Sequence, residues 1–178
     1  MPDKYIVLDR DGVINVDLFD YVLKNETFEF EKGSIEALIK LSKNNYQIIV
    51  ATNQKCINLG LISAEGIEKI NNFWINKIKE LGGDILHIEV CPHRDEENCN
   101  CRKPKTGLLI AAEKKLNISL KESYFIGDKL SDLDCAVSHG CKPILVKTGY
   151  GSRTLSSSYP KETKVFENLK AAVDWIVN

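Results

Sequence analysis

The chain contains 178 residues, 43% of them hydrophobic and 28% charged, a composition that predicts one globular domain with a substantial core. Its formal net charge of −1 argues against a nucleic-acid-binding surface, and no apolar run is long enough to span a membrane. The N-terminal residues do not resemble a signal peptide, so we expect a cytoplasmic protein whose six cysteines serve as metal ligands or free thiols.

Short β-rich runs alternate with segments of helical periodicity along the chain. The predicted strands cover residues 5–8, 46–51, 85–90, 124–126 and 144–146. Consecutive strands separated by a helix form right-handed crossovers, which arrange the strands in parallel. We therefore predict an α/β fold, a Rossmann-like parallel sheet with helices on both faces.

Several of the helices between these strands are predicted to begin at serine residues. The predicted starts are Ser34, Ser63 and Ser131, the first two as N-caps. The apolar stripe of the second helix extends to Leu81, and the inward face of the fourth helix includes Val137. Gly140 ends the fourth helix, and a further helix closes the chain near its C-terminus.

Polar side chains collect where the predicted strands end, at the edge of a parallel sheet that binds ligands. Asp9 and Asp11 follow the first strand, where their spacing of two directs both carboxylates to the same side. Asp128 follows the fourth strand, and three carboxylates in one cleft require a cation such as Mg²⁺, which prefers oxygen ligands. Thr52 follows the second strand and, with Lys103, would supply a hydroxyl and a cation for phosphoryl oxygens. With one aspartate as nucleophile and the other as general acid and base, the pattern predicts phosphoryl transfer.

A cysteine-rich loop lies between the third strand and the third helix, at about residues 91–101. Its candidate ligands for a closed tetrahedral zinc site are Cys91, His93, Cys99 and Cys101. The polar interval between them offers no apolar packing, which disfavours the alternative of buried or free thiols. Because Arg102 and Lys103 directly follow the last ligand, we expect zinc to hold these two cations in place and to have no catalytic role.

The motifs DRDGVIN, TNQ, CPH…CxCRKP and GDKLSDL resemble those of the haloacid dehalogenase (HAD) superfamily of aspartyl-phosphate phosphatases. The specific resemblance is to the branch that contains D-glycero-D-manno-heptose 1,7-bisphosphate phosphatases and histidinol-phosphate phosphatases. It implies that Asp9 is the nucleophile and that Asp11 is the general acid and base. It also implies that Thr52 and Lys103 hold the phosphoryl group. Magnesium would be bound by Asp9, the Asp11 carbonyl and Asp128.

The resemblance covers nearly the whole chain, so we expect a single HAD-like phosphatase domain over residues 1–178. The intervals between Asp9, Thr52 and Lys103 leave room for crossovers and modest loops but for no separate cap domain. Asp132 has two alternative roles, orienting the metal shell or capping the following helix. The candidate substrate-binding residues are Arg10, Asn15, Asp17, Tyr21, Asn53, Gln54, Lys55, Arg102 and Lys129.

Part of the second motif region departs from the pattern of this branch. Cys56 and Leu59 stand where glycine and arginine are usual, and Lys55 could replace the missing cation. The segment after the first motif is also slightly longer than the pattern. These departures concern the choice of substrate and not the phosphatase chemistry.

The resemblance favours a Mg²⁺-dependent phosphatase that removes the 7-phosphate of a heptose 1,7-bisphosphate through an aspartyl-phosphate intermediate. Its product would serve nucleotide-activated heptose synthesis for lipopolysaccharide or another surface glycan. The alternatives are a histidinol-phosphate phosphatase and, in a different class, a non-catalytic zinc-stabilised binding module. We expect a small phosphorylated sugar as the ligand, no nucleic-acid or membrane partner, and a monomer. The sequence favours neither anomer of the sugar.

Overall fold

A parallel sheet of six strands forms the centre of the fold. The structure, a computed structural model, describes residues 4–178. Its strands are β1 (Lys4–Leu8), β2 (Tyr46–Asn53), β3 (His87–Cys91), β4 (Tyr124–Gly127), β5 (Lys142–Val146) and β6 (Lys164–Phe166). They pair in the order β3-β2-β1-β4-β5-β6, so the direction of the crossovers reverses beside β1. Parallel α/β sheets bind ligands at this reversal, beyond the carboxyl ends of the strands.

Helices cover both faces of the sheet. They are α1 (Ser34–Lys43), α2 (Ala64–Glu80), α3 (Gly107–Leu116), α4 (Leu130–His139), α5 (Gly151–Leu155) and α6 (Leu169–Val177). Side chains alternate along β1, because Ile6 and Leu8 belong to the core cluster shared with α1, α2 and α6. Val7 belongs to the cluster on the opposite face, shared with α3 and α4. The predicted α/β fold with helices on both faces is confirmed.

The five predicted strands are all present, although some of their ends differ. β2 extends beyond the prediction to Asn53, so Thr52 lies within the strand, and β3 begins only at His87. The strand β6 and the helix α5 were not predicted from the sequence. With three and five residues, these elements are too short to show a hydrophobic period.

The predicted helix boundaries are correct at Ser63 and Gly140 and wrong at Ser34. The Ser63 hydroxyl accepts a hydrogen bond from a backbone N–H in the first turn of α2, and Gly140 ends α4 in the left-handed region with φ of +89°. Ser34 is instead the first residue of α1. Its hydroxyl donates a hydrogen bond of 2.7 Å to the Ile14 carbonyl, and Gly33 is the N-cap.

Two other helix details differ from the prediction. Leu81 follows the last turn of α2 and is 49% exposed, and Val137 is 39% exposed, so neither side chain is a core residue. α4 begins at Leu130, one residue before Ser131.

The strand connections carry only helices, turns and loops. Within residues 4–178, the chain between consecutive strands contains no inserted cap domain, as the sequence predicts. No helix in this part of the chain is long and apolar enough to cross a bilayer. Residues 1–3 of the predicted domain lie outside the described residues.

Candidate active site

The site lies at the carboxyl ends of three neighbouring strands. β1 pairs with β2 on one side and with β4 on the other. Asp9 follows β1, Thr52 lies near the end of β2, and Asp128 follows β4. The pairing continues past β1, because the Asp9 N–H donates a hydrogen bond of 3.0 Å to the Ile126 carbonyl. The sheet therefore brings together three side chains that are far apart in the sequence.

Lys103 reaches this edge of the sheet from the loop before α3. Its Nζ lies 2.8 Å from Asp9 Oδ1 and 2.6 Å from Asp132 Oδ1, and it donates a hydrogen bond of 2.7 Å to the Ala51 carbonyl. The side chain of Asn53 holds the Lys103 backbone on both sides, accepting from its N–H and donating to its carbonyl, each at 3.2 Å. Although burial alone would lower the pKa of Lys103, Asp132 and Asp9 raise it above the usual value. The lysine is therefore a fixed cation inside the site.

Three buried carboxylates converge beside this lysine. Oxygen atoms of Asp9, Asp128 and Asp132 all lie within 4.8 Å of one another. Burial raises the pKa of Asp9 to about 6, with Lys103 opposing the shift and Asp132 adding to it. Burial also raises the pKa of Asp128 well above its usual range, and its Oδ1 is a buried acceptor without a hydrogen-bond partner among residues 4–178. An acceptor set of this kind fits Mg²⁺, which would relieve the repulsion.

Asp132 caps the helix that follows it, which is one of the two roles that the sequence leaves open. Its Oδ2 accepts a hydrogen bond of 3.0 Å from the N–H of Lys129, the residue before α4, and this contact caps the helix. Its Oδ1 faces Lys103 in the acidic cluster. One carboxylate therefore joins the start of α4 to the acidic cluster at the edge of the sheet.

Backbone at two glycines packs directly against Asp128. Gly12 has φ of +84° and Gly149 has φ of +54°, and a Cβ at either residue would lie 2.3 Å from Asp128 Oδ2. The same oxygen accepts a hydrogen bond of 2.8 Å from the Tyr150 N–H. The Thr154 hydroxyl donates to the Asp128 carbonyl at 2.8 Å. These contacts, from Gly12 after β1 and from the segment after β5, hold the aspartate in place.

The Asp11 carboxylate is surrounded by hydrogen-bond donors. Both of its oxygens accept from Arg10 Nη2, at 3.0 and 3.1 Å, while Asn15 donates at 2.9 Å and Gln54 at 2.6 Å. Burial would raise the pKa of Asp11, but Arg10 and the hydrogen bonds from Asn15 and Gln54 lower it below the usual value. Gln54 also donates to the Thr52 hydroxyl at 2.8 Å. The carboxylate is thus held in one orientation.

Two predicted substrate contacts require correction. Arg10 and Asn15 are fully buried and do not line the cleft. Their side chains point behind the site, where both donate to Asp11. We therefore assign them to the positioning of Asp11 and not to direct contact with a substrate.

A cleft of about 540 Å³ opens next to the acidic cluster. The other seven predicted substrate contacts line it, namely Asp17, Tyr21, Asn53, Gln54, Lys55, Arg102 and Lys129. Lining residues that the sequence analysis did not identify are Phe19, Asp20, Val22, Asp95, Pro104, Ser131 and Tyr150. Tyr150 lies beyond the end of the fifth predicted strand. The strand-end rule, by which polar residues that follow the parallel strands line the site, could therefore have found it. Phe19 lies in the slightly longer segment after the first motif.

One wall of the cleft is aromatic. The rings of Phe19 and Tyr150 pack edge to face with centroids 5.0 Å apart. Lys129 Nζ lies 4.7 Å from the centroid of the Tyr150 ring and 2.9 Å from Asp17 Oδ2. Asp17 Oδ1 in turn accepts a hydrogen bond of 2.8 Å from the Phe19 N–H, and Phe19 has φ of +56°, which is rare for a bulky residue. Asp17 therefore joins the lysine to the aromatic pair.

Charged residues form another part of the cleft lining. Asp95 accepts from Arg102 Nε at 2.7 Å and from Lys55 Nζ at 3.3 Å, so one carboxylate lies between two cations. The net positive charge of this group makes it suitable for a second anionic group on a ligand.

The predicted zinc ligands come together in the loop after β3. Cys91 Sγ lies 3.2 Å from Cys101 Sγ and 3.8 Å from Cys99 Sγ, and His93 Nδ1 lies 3.2 Å from Cys101 Sγ. A tetrahedron with metal–sulfur bonds of about 2.3 Å has edges of about 3.8 Å, which the Cys91–Cys99 separation matches, while the two separations of 3.2 Å are shorter. Three sulfurs and one imidazole nitrogen therefore form a set that could hold zinc.

The cysteine-rich loop is directly connected to the arginine in the cleft. The Arg102 N–H donates to Cys99 Sγ at 3.3 Å, and Arg102 Nη1 donates to the His93 carbonyl at 3.1 Å. The orientation of this guanidinium thus depends on the conformation of the ligand loop.

Comparison with known proteins identifies relatives over nearly the full chain. A HAD-hydrolase-like family model matches residues 100–172. The D-glycero-β-D-manno-heptose-1,7-bisphosphate 7-phosphatase of Pseudomonas putida is 40% identical over 94% of this chain and 96% of its own length. The enzyme of the same name from Pseudomonas aeruginosa is 37% identical over 96% of each chain. The crystal structure of the D,D-heptose 1,7-bisphosphate phosphatase from B. bronchiseptica, in complex with magnesium and phosphate, superposes with a TM-score of 0.94 at 32% identity, covering 98% of both chains.

Proposed function

We propose that this chain removes the 7-phosphate of D-glycero-β-D-manno-heptose 1,7-bisphosphate. The chain belongs to the HAD-like family of heptose-1,7-bisphosphate 7-phosphatases and is a phosphoric monoester hydrolase. The names of the two Pseudomonas relatives support the substrate and its β anomer. The observation that carries the proposal is the convergence of Lys103 with Asp9 and Asp128 at one sheet edge, next to a cleft large enough for a sugar bisphosphate.

The proposed reaction has two displacement steps at phosphorus. In the first step, a carboxylate oxygen of Asp9 attacks the 7-phosphate and the bond from phosphorus to the sugar oxygen breaks. Asp11, which takes up a proton when the phosphate dianion binds beside it, gives that proton to the departing oxygen. In the second step, Asp11 takes a proton from water, which attacks the aspartyl phosphate. Inorganic phosphate leaves, and the Asp9 carboxylate is restored.

The charge of the phosphoryl group is balanced by residues at the sheet edge. Lys103 provides a buried ammonium and Thr52 a hydroxyl, and both are held by neighbouring side chains before the substrate arrives. Magnesium, which would be held by Asp9, Asp128 and the Asp11 carbonyl, supplies further neutralisation of phosphoryl oxygens. The magnesium and phosphate in the B. bronchiseptica structure support this assignment.

We assign the opposite end of the substrate to the cleft. Arg102 and Lys55, which share Asp95, are suited to the 1-phosphate, since bidentate and charge-assisted contacts favour a dianion. Tyr21, Asp17 and Lys129 also line the cleft and are assigned to the sugar.

We assign zinc a structural role and no catalytic role. The closed set of four ligands leaves no position for water or substrate, so zinc would stabilise the loop and orient Arg102 and Lys103. We further assign the reaction to nucleotide-activated heptose synthesis for lipopolysaccharide or a related surface glycan, in the cytoplasm, and the active species to a monomer.

The proposal is tested by phosphate release from a substrate panel with and without Mg²⁺. The panel contains both anomers of the heptose 1,7-bisphosphate and histidinol phosphate, and Asp9→Asn serves as the inactive control. We expect rapid Mg²⁺-dependent release from the β anomer and none from the variant. Faster turnover of histidinol phosphate would refute the heptose assignment, and unchanged release by Asp9→Asn would refute the nucleophile.

A further inference from the structure

Asn71 is a buried polar residue that lies outside the cleft. It belongs to α2 and is 3% exposed. Its Oδ1 accepts two hydrogen bonds of 3.2 Å, one from Arg10 Nη1 and one from Trp74 Nε1. A buried amide is costly unless it is hydrogen-bonded, so these two contacts define the position of the oxygen.

Arg10 connects this asparagine to the catalytic edge of the sheet. Its guanidinium donates through Nη1 to Asn71 and through Nη2 to both oxygens of Asp11. The Arg10 side chain is exposed neither to solvent nor to the cleft, since its relative exposure is 0%. Because the guanidinium is planar and rigid, an anchor at one terminal nitrogen determines where the other can point.

We propose that Asn71 is a positioning residue that orients the Asp11 carboxylate through Arg10, so that its proton can reach the oxygen of the departing group. This inference rests on the proposed function, in which Asp11 is the general acid. Asn71 suits this role because its amide is neutral. It accepts a hydrogen bond from the guanidinium but does not compete with Asp11 as an ion-pair partner. A carboxylate at this position on α2 would compete.

The surroundings of Asn71 fix the position of its side chain. Trp74 is fully buried and stacks on Phe28 with parallel rings whose centroids are 5.9 Å apart. Its indole N–H can only donate, so it selects the amide oxygen of Asn71 and directs that oxygen to the space between the indole and the guanidinium. The helix, the indole and the arginine thus form a continuous contact from the core to Asp11.

The inference is tested by the dependence of kcat/KM on the leaving group, because kcat/KM reports the steps up to the first irreversible bond cleavage. Departure of a sugar oxygen needs the proton of Asp11, whereas departure of p-nitrophenolate does not. For Asn71→Leu, we expect kcat/KM for the heptose bisphosphate to fall about tenfold or more, with a much smaller fall for p-nitrophenyl phosphate. Asn71→Ser, which is too short to reach Arg10, carries the same expectation if the leucine variant does not fold.

Two control variants separate positioning from stability. Ile78→Ala removes a buried core side chain from the same helix but leaves the hydrogen bonds of Asn71 and Arg10 in place, so we expect a lower Tm with an unchanged ratio of the two kcat/KM values. Asn72→Leu alters the adjacent exposed residue and should change neither quantity. Equal losses on both esters in the Asn71 variants would overturn the inference while leaving the proposed function intact. Wild-type protein that releases phosphate from neither ester would refute the proposed function itself.

Discussion

Lys103 Nζ lies closer to Asp132 Oδ1, at 2.6 Å, than to Asp9 Oδ1, at 2.8 Å. The lysine that faces the proposed nucleophile is therefore held by a second carboxylate that also caps α4. This arrangement keeps the ammonium at the phosphoryl position without requiring Asp9 to bind it alone.

Neutralising Asp132 should separate its charge from its capping role. In Asp132→Asn the amide oxygen can still accept from the Lys129 N–H, but the ion pair with Lys103 is lost. We expect kcat/KM to fall on the order of 100-fold, because Lys103 would no longer be fixed at the phosphoryl position. Steady-state kinetics checks this result, with Asp134→Asn on the same helix as the control. Activity equal to that of the control would contradict it.

Gly12→Ala should displace Asp128 because the new Cβ would lie 2.3 Å from its carboxylate. Gly82→Ala is a matched control: Gly82 has a similar φ of +88°, but no atom lies within 4 Å of a Cβ built there. In both variants the free energy of unfolding should fall by about 1–2 kcal/mol, because alanine is unfavourable in the left-handed backbone region. Only Gly12→Ala should also need more Mg²⁺ for half-maximal activity, as measured by titration. An equal Mg²⁺ requirement in both variants would exclude the displacement of Asp128.

Loss of Cys101, a proposed zinc ligand, should reduce activity while most of the fold remains. The Cys101→Ala variant would release the loop that orients Arg102 and Lys103, and we expect a loss of about 10- to 100-fold in kcat/KM. Metal analysis, circular dichroism and kinetics would be compared with Cys141→Ala, which alters a buried cysteine outside the ligand cluster. Full activity of zinc-free protein would rule out the proposed role of the metal.

Lys55→Met should weaken binding of the 1-phosphate specifically. We expect KM for the heptose 1,7-bisphosphate to rise about tenfold, the equivalent of about 1.4 kcal/mol, with little change for a heptose 7-phosphate. Lys79→Met is the control, because Lys79 is likewise a lysine paired with an aspartate but is exposed on α2 away from the cleft. A parallel rise for both substrates would mean that Lys55 does not distinguish the 1-phosphate.

The structure explains why some positions were predicted correctly and others were not. The strand-end rule found Asp9, Thr52 and Asp128 because parallel strands bring their carboxyl ends to one edge regardless of loop detail. It did not find Tyr150, which contacts the site from the loop after β5. The resemblance placed Arg10 among the substrate contacts, but its fully buried side chain lies behind the sheet edge and not in the cleft.

The alternation of five strands with helices, the polar residues at the strand ends and the candidate metal-binding set of three cysteines and one histidine follow from the sequence by itself. Hydrophobic periodicity and residue type are local properties of the sequence. Parallel crossovers then place the carboxyl ends of the strands, and the polar residues that follow them, at one edge of the sheet. The sharing of Lys103 between Asp9 and Asp132, the contact of glycine backbone with Asp128 and the connection from Asn71 through Arg10 to Asp11 were decided only by the tertiary structure. Each of these joins residues from separate elements at distances of a few ångströms, which depend on the packing of the whole chain and leave no periodic signal in any one segment.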